Sequence, residues 1–193
     1  MKKLTILVDM DDTLIKLGET WIEFLNERYG TNVDWRDVTD WDVSIFFPEL
    51  TRYQVFEPLH SAELWKRTKP MDGAVEAVAK LRKDGHRVIV VTSAPPKTVE
   101  AKLIYSLFKH FRFTYKDVII AYHKQLIKGD VLVDDAPHNL AGGNYLPILV
   151  DAPHNRDYDA EYNGMIRTEN WEQIYDVITE FAKLTEEFDK EEY

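Results

Sequence analysis

Asp9, Asp11 and Asp12 put three carboxylates into four positions of the hexad Asp9-Met10-Asp11-Asp12-Thr13-Leu14. Like charges this close raise one another's pKa unless a cation or a reaction takes them up. Residues at i and i+2 of an extended chain project to the same side. Asp9 and Asp11 can therefore address one substrate, the first acting on it and the second handling its proton. Asp12 falls off that spacing and reads as a turn residue or helix cap, with Thr13 as hydrogen-bonding support of the loop. Thr92-Ser93, Lys124 and Asp134-Asp135 supply the rest of a coherent set. The carboxylates make a hard oxygen site suited to Mg²⁺, and hydroxyls with an ammonium hold a phosphoryl group. Asp9 could attack phosphorus and form an aspartyl-phosphate. Asp11 could protonate the leaving oxygen and then deprotonate the hydrolytic water. Lys128 competes with Lys124, but Lys128-Gly129-Asp130 reads as a turn, so Lys124 is preferred. Asp134 is the metal ligand of its pair, and Asp135 acts one shell out, through water or lysine.

These groups need a frame that gathers them. Residues 4–8, 88–91, 118–121, 131–133 and 148–150 are Val- and Ile-rich runs without strict alternation. That pattern belongs to strands buried on both faces. Helical spacing covers 74–81, 99–108 and 171–184, the last capped by Asn170 and the second turning Leu103, Ile104, Leu107 and Phe108 to one side. Strands alternating with helices predict an open, mostly parallel α/β sheet. The first run ends at Asp9, the second at Thr92-Ser93 and the fourth at Asp134-Asp135, and ligands gather at strand carboxyl ends in such sheets. The acidic tail 185–193 is expected to fray.

Residues 16–69 break the rhythm. They hold four of the five tryptophans, Trp21, Trp35, Trp41 and Trp65, and read as a small, mostly helical inserted subdomain with an amphipathic helix over 21–29. The division is 1–15 with 70–193 for the core and 16–69 for the insert. Trp41 and Phe46 are the base-stacking candidates on the insert, while Arg52 reads as part of a solvated face. His138 and Asn139 read as caps of a short helix. His123 and His154 carry no assignment. With 34 acids against 24 Lys and Arg the net charge is -10, which disfavours a nucleic-acid polymer or an anionic membrane as partner. Without cysteine there is no disulfide, thiolate zinc site or Cys nucleophile. The N-terminal apolar run is too short for a signal-peptide core, and a cytoplasmic protein is expected.

In order and spacing the chain resembles the haloacid dehalogenase (HAD) superfamily of phosphotransferases. Asp9-Met10-Asp11-Asp12-Thr13 matches its DxDx[TV] motif, Thr92 its second, Lys124 its third lysine and Leu132-Val133-Asp134-Asp135 its paired acids. Within that superfamily it is most similar to the 5'(3')-deoxyribonucleotidases. The insert after the first motif, Pro70-Met71-Asp72-Gly73, Thr92-Ser93-Ala94-Pro95 and Asp134-Asp135-Ala136-Pro137 carry that likeness. The resemblance implies a Rossmann-like core with a helical cap inserted after the first strand. It implies Mg²⁺-dependent dephosphorylation of nucleoside monophosphates, with Asp11 giving the metal its backbone carbonyl, and a homodimer. Asp12-Thr13 replaces the Gly-Val frequent in the animal enzymes, which leaves substrate identity open. A phosphoacceptor receiver module orders its acids differently. The same motifs also suit a phosphatase of sugar phosphates, and the same fold a non-catalytic binding protein.

Overall fold

A computed structural model describes residues 1–191. Six strands, β1 (Thr5–Val8), β2 (Arg87–Thr92), β3 (Val118–Ile120), β4 (Val131–Asp134), β5 (Leu146–Val150) and β6 (Ile166–Thr168), form one sheet in the order β3-β2-β1-β4-β5-β6. Every pairing is parallel. In β1, β2, β4 and β5 the apolar runs lack a polar alternate because both faces are covered; β3, at the sheet edge, departs from that expectation and leaves Ile119 and Ile120 exposed. Ile6, Val8, Val88, Val90, Val131, Val133, Ile148 and Val150 enter one core, while Leu7, Ile89, Val91, Leu132 and Leu149 enter the other. The chain winds outward from β1 to β3, then restarts on the far side of β1 with β4. That reversal opens a crevice at the carboxyl ends of β1 and β4.

The first face is packed by α4 (Ala74–Lys83) and α8 (Trp171–Glu191), through Ala77, Leu81, Trp171, Ile174 and Ile178 among others, and α1 (Leu17–Tyr29) adds Leu25 to the same apolar cluster. The second core is smaller and closes over Leu140, Ala160 and Met165. β6 escapes the pattern of apolar runs because Ile166-Arg167-Thr168 contains one aliphatic residue. As an edge strand it needs little more, and Arg167 is tied down by Asp151 at 2.9 Å and by the carbonyls of Asn155 and Tyr158. The tail departs from expectation: α8 continues to Glu191 rather than fraying after 184. Its acids meet the N-terminal cations, with Glu186 at the terminal amine and Asp189 on Lys2. Residues 192 and 193 of that expectation lie outside the described residues.

The segment 16–69 leaves and re-enters through a pair of crossing backbone bonds, Lys16 N to the Lys69 carbonyl at 2.9 Å and Met71 N to the Leu14 carbonyl at 2.8 Å. After α1 it continues through short 3₁₀ turns to α2 (Arg52–Phe56) and α3 (Ala62–Arg67). Its apolar residues, Trp21, Val55, Leu64 and Trp65 included, run on into the core of the first sheet face.

The stretch 99–108 also departs from expectation. α5 (Pro96–Lys102) passes into a π turn over Leu103–Leu107 and then α6 (Phe108–His110). The wider turn rotates the face: Thr98, Lys102, Ser106 and Leu107 are buried, and Ile104 is left 46 % exposed.

Candidate functional site

Five of the sequence-derived residues meet at the carboxyl edge of β1 and β4. Asp9 follows the last residue of β1, and its amide donates to the Val133 carbonyl at 2.9 Å. Asp134 ends β4 and is fully buried. Lys124 is 1 % exposed, and its Nζ donates to Asp9 Oδ1 and to Asp134 Oδ2, the latter at 2.6 Å. Lys128, by contrast, is exposed. Oδ1 of Asp134 accepts from the Ala136 amide at 2.9 Å and from Asn139 Nδ2 at 3.0 Å. Asn139 is therefore not a helix cap. It lies inside the short α7 (Pro137–Leu140) and orients a carboxylate.

Burial lifts the Asp134 carboxyl, Asp9 lifts it further, and Lys124 with Asn139 pulls it back, leaving it at about 6. Burial and then Asp134 hold Asp135 well above the ordinary carboxylate range. Burial opposes the charge on Lys124, but Asp9 and Asp134 more than reverse that and hold its ammonium above the usual lysine range. Such crowding is what a cation relieves. Side-chain oxygens of Asp9, Asp134 and Asp135 lie within 4.8 Å of one another. Three buried hard donors of this kind fit a Mg²⁺ ion. Asp135 stands in this cluster beside the other two.

Asp11 points the other way, to a residue that sequence reasoning missed. Lys102 Nζ donates to Asp11 Oδ2 at 2.5 Å and to the Ser93 carbonyl at 3.0 Å. The signal was present: position 102 falls at helical spacing between Thr98 and Ser106 on the buried stripe, where a lysine is out of place. Burial raises the Asp11 carboxyl, Lys102 opposes it, and Asp9 adds to the rise. Thr92 closes β2 with its hydroxyl fully buried and unpartnered, and Ser93 follows it at the surface of the cavity. Asp12 has φ +51°, and its Oδ1 accepts from the Gly18 amide at 2.8 Å. That is the helix-capping role expected of it, exercised on α1 across the start of the insert. The Thr13 carbonyl is held by Trp171 Nε1 at 2.9 Å, while the Thr13 hydroxyl is buried without a partner.

A cavity of about 260 Å³ opens on these groups. Asp9, Asp11, Ser93, Lys124 and Asp135 form its polar floor, and Trp21, Trp35, Val38, Trp41 and Val43 of the insert form its apolar wall. Gly18 lets that wall approach: a Cβ there would fall 2.3 Å from the Trp35 ring. Trp41 is 3.9 Å between ring centroids from His154 and 5.6 Å from His138. Phe46 is not on this wall and packs against the core instead. Arg52 pairs with Asp42 on the surface, and His123 is exposed beside Tyr122. His154, left without a role by the sequence, lines the cavity with Nε2 2.9 Å from Asp135 Oδ2 but out of hydrogen-bond alignment. Burial keeps its pKa below the usual histidine value despite the nearby Asp12. His138 lines the same cavity. No helix among the described residues is long and apolar enough to cross a membrane.

Comparison with known proteins adds an independent line. A sequence model described as "5' nucleotidase, deoxy (Pyrimidine), cytosolic type C protein" matches residues 2–185. A Bacillus subtilis protein named 5'(3')-deoxyribonucleotidase is 33% identical over 177 residues, 90% of this chain and 97% of its own. Among solved structures, a haloacid dehalogenase-like hydrolase from Streptococcus pneumoniae superposes with a TM-score of 0.64 at 10% identity, covering 91% of this chain and 98% of that one. A magnesium-bound HAD hydrolase from Bacillus subtilis gives 0.57 at 15% identity, with 92% and 99% covered. At such identities the two structures speak to the fold, an α/β Rossmann-like core.

Proposed function

The chain belongs to the cytosolic type C 5' nucleotidase family of HAD phosphatases, and from that premise we propose that it hydrolyses deoxyribonucleoside 5'- or 3'-monophosphates through an aspartyl-phosphate, with Mg²⁺ as cofactor. The observation that carries this reading is the single cavity whose floor is Asp9, Asp11, Lys124 and Asp135 and whose wall is tryptophan. A phosphate and a nucleobase ask for those two surfaces at one small spacing.

Asp9 attacks phosphorus as the ester P–O bond breaks, and the bonding pair leaves on the nucleoside oxygen, which takes a proton from Asp11. Water then attacks the aspartyl-phosphate. Asp11 accepts its proton, the Asp9–phosphorus bond breaks with the pair returning to Asp9, and phosphate departs. Lys124 and the hydroxyls of Thr92 and Ser93 hold the phosphoryl oxygens, a role that answers the unpartnered Thr92 hydroxyl. Asp9, Asp134 and the Asp11 backbone carbonyl, with Asp135 directly or through water, would hold a Mg²⁺ ion, which when bound would supply positive charge against the repulsion between carboxylate and phosphate dianion. Residues 16–69 act as the cap and 1–15 with 70 onward as the core. A cytoplasmic site of action and free nucleotides rather than polymers complete the reading, supported by the family description and the net charge of -10. A homodimer belongs to the same reading and rests on the family alone.

Phosphate release measured over deoxy- and ribonucleoside 5'- and 3'-monophosphates and sugar phosphates should favour deoxynucleotides and vanish on chelation of Mg²⁺. A sugar phosphate turned over faster than every nucleotide would remove the substrate assignment and leave the phosphatase. Trp41→Ala should raise KM for nucleotides about tenfold, in line with ~1.5 kcal/mol for a lost stacking partner, and leave KM for a baseless phosphomonoester unchanged. An equal rise for both substrates would place Trp41 outside the base site.

A further inference from the structure

Lys102 plays no part in the chemistry above, yet it is 1 % exposed, as enclosed as Lys124. It ends α5 where the helix widens into the π turn, and its ammonium lies 5.6 Å from the Trp65 ring of α3. Hydrogen bonds brace the surroundings. Ser106 Oγ and Thr68 Oγ1 both meet the Trp65 carbonyl, at 3.0 and 2.8 Å, and lie 2.6 Å from each other. A leucine or methionine would fill this stripe without the penalty of burying a charge. The chain instead puts a cation there and aims it at two strand ends, Asp11 after β1 and the Ser93 carbonyl after β2. Asp11 Oδ2 is held by that contact, and Oδ1 is buried with no partner.

We propose that Lys102 is a positioning residue for Asp11, holding its carboxyl group by Oδ2 in the orientation from which it exchanges a proton with the ester oxygen and then with water. This rests on the reading of Asp11 as the acid–base group. The effect of Lys102 is on the geometry of the transfer. The Ser93 carbonyl contact ties that geometry to the strand end bearing Thr92.

The test uses Lys102→Met, Asp11→Asn and the double variant in the Mg²⁺-loaded enzyme, on a deoxynucleoside monophosphate. Lys102→Met should lower kcat about 10²-fold, as a misplaced catalytic group does, with KM changed less than about threefold. Lys102→Arg should recover part of the loss. In the Asp11→Asn background, Lys102→Met should remove less than about threefold more, since coupled residues are not additive. The burst of p-nitrophenolate from p-nitrophenyl phosphate, a leaving group that needs no proton, should slow far less than nucleoside release. Wild-type kcat in Lys102→Met, or losses that multiply in the double variant, would overturn the proposal. So would an equal slowing of the burst. Thermal unfolding run alongside identifies a variant that does not fold, and Lys102→Gln then carries the same comparisons. If Asp11→Asn keeps wild-type turnover, the acid–base reading falls first. An inactive Asp11→Asn beside an unaffected Lys102→Met overturns the role of Lys102 alone.

Discussion

Asp9→Asn should abolish nucleotide turnover, by about 10³-fold or more, the scale of removing a covalent nucleophile, while leaving the fold in place. The amide keeps the shape of the carboxylate but does not form the acyl phosphate at a useful rate. The fold survives because Lys124 retains Asp134 at 2.6 Å. Removing the Asp9 charge also relieves its neighbours, since Asp9 is among the causes that raise Asp11, Asp134 and Asp135. Thermal unfolding of the metal-free variant should therefore match or slightly exceed that of the parent. Phosphate release and a melting curve on the same preparation check both halves. Wild-type turnover in this variant would sink the covalent route, and a collapsed melting curve would sink the account of the ion-pair cluster.

Lys124→Met is expected to be the more damaging change because it strikes stability and catalysis together. It leaves Asp9 and Asp134 buried with no counter-charge, and breaking a buried pair by removing one partner costs about 3–5 kcal/mol. Loss of the ammonium that faces the phosphoryl group should lower kcat by about 10²–10³-fold, as for an oxyanion-stabilising donor. The stability loss should depend on pH. Asp134 is raised in the folded protein from 3.8 to about 6. The folded state thus holds that proton more tightly than the unfolded one, and acidification favours folding. Lys124 opposes the rise, so the variant moves the carboxyl higher still. Metal-free Lys124→Met should gain stability as pH falls through about 6 towards 3.8, the gain starting at a higher pH and reaching a larger total than in the parent. A flat pH dependence of the difference in melting temperature would show that the carboxylates do not titrate as a cluster around this lysine.

Both effects come from residues whose role depends on the company they keep. Asp9 and Asp134 are 125 positions apart by their numbers, and the parallel register of β1 on β4, with Val8 opposite Val133, brings them side by side. That adjacency was legible because both apolar runs end in acids, and a strand with both faces buried can only present chemistry at its end. Lys124 follows from the same logic, since the link between β3 and β4 must return across that edge. Asp12 as a helix cap was legible from its place outside the i, i+2 pair.

The chain's own order of residues was thus enough to determine the parallel α/β core, the acids and hydroxyl at its carboxyl edge and the helical character of 16–69. Periodicity and strand ends are local properties, and they survive without coordinates. What only the tertiary structure decided are the contacts made by side chains from elements that local pattern leaves independent. Lys102 reaches Asp11 because the end of α5 packs beside the strand ends after β1 and β2, a placement that the buried stripe carrying Lys102 does not itself encode. His154 arrives from beyond β5 to meet Trp41 of the insert, and Phe46, also on the insert, packs half-buried against the core. Asn139 exchanges a cap for a carboxylate. For Lys102, Phe46 and Asn139 the backbone segment was assigned from its own residues, while the partner was chosen by how two segments pack; for His154 the structure supplied the segment as well. The crowded carboxylates with which the chain announces itself are one such case. Asp9 joins Asp134 and Asp135, Asp11 turns to Lys102, and Asp12 holds the first helix of the insert.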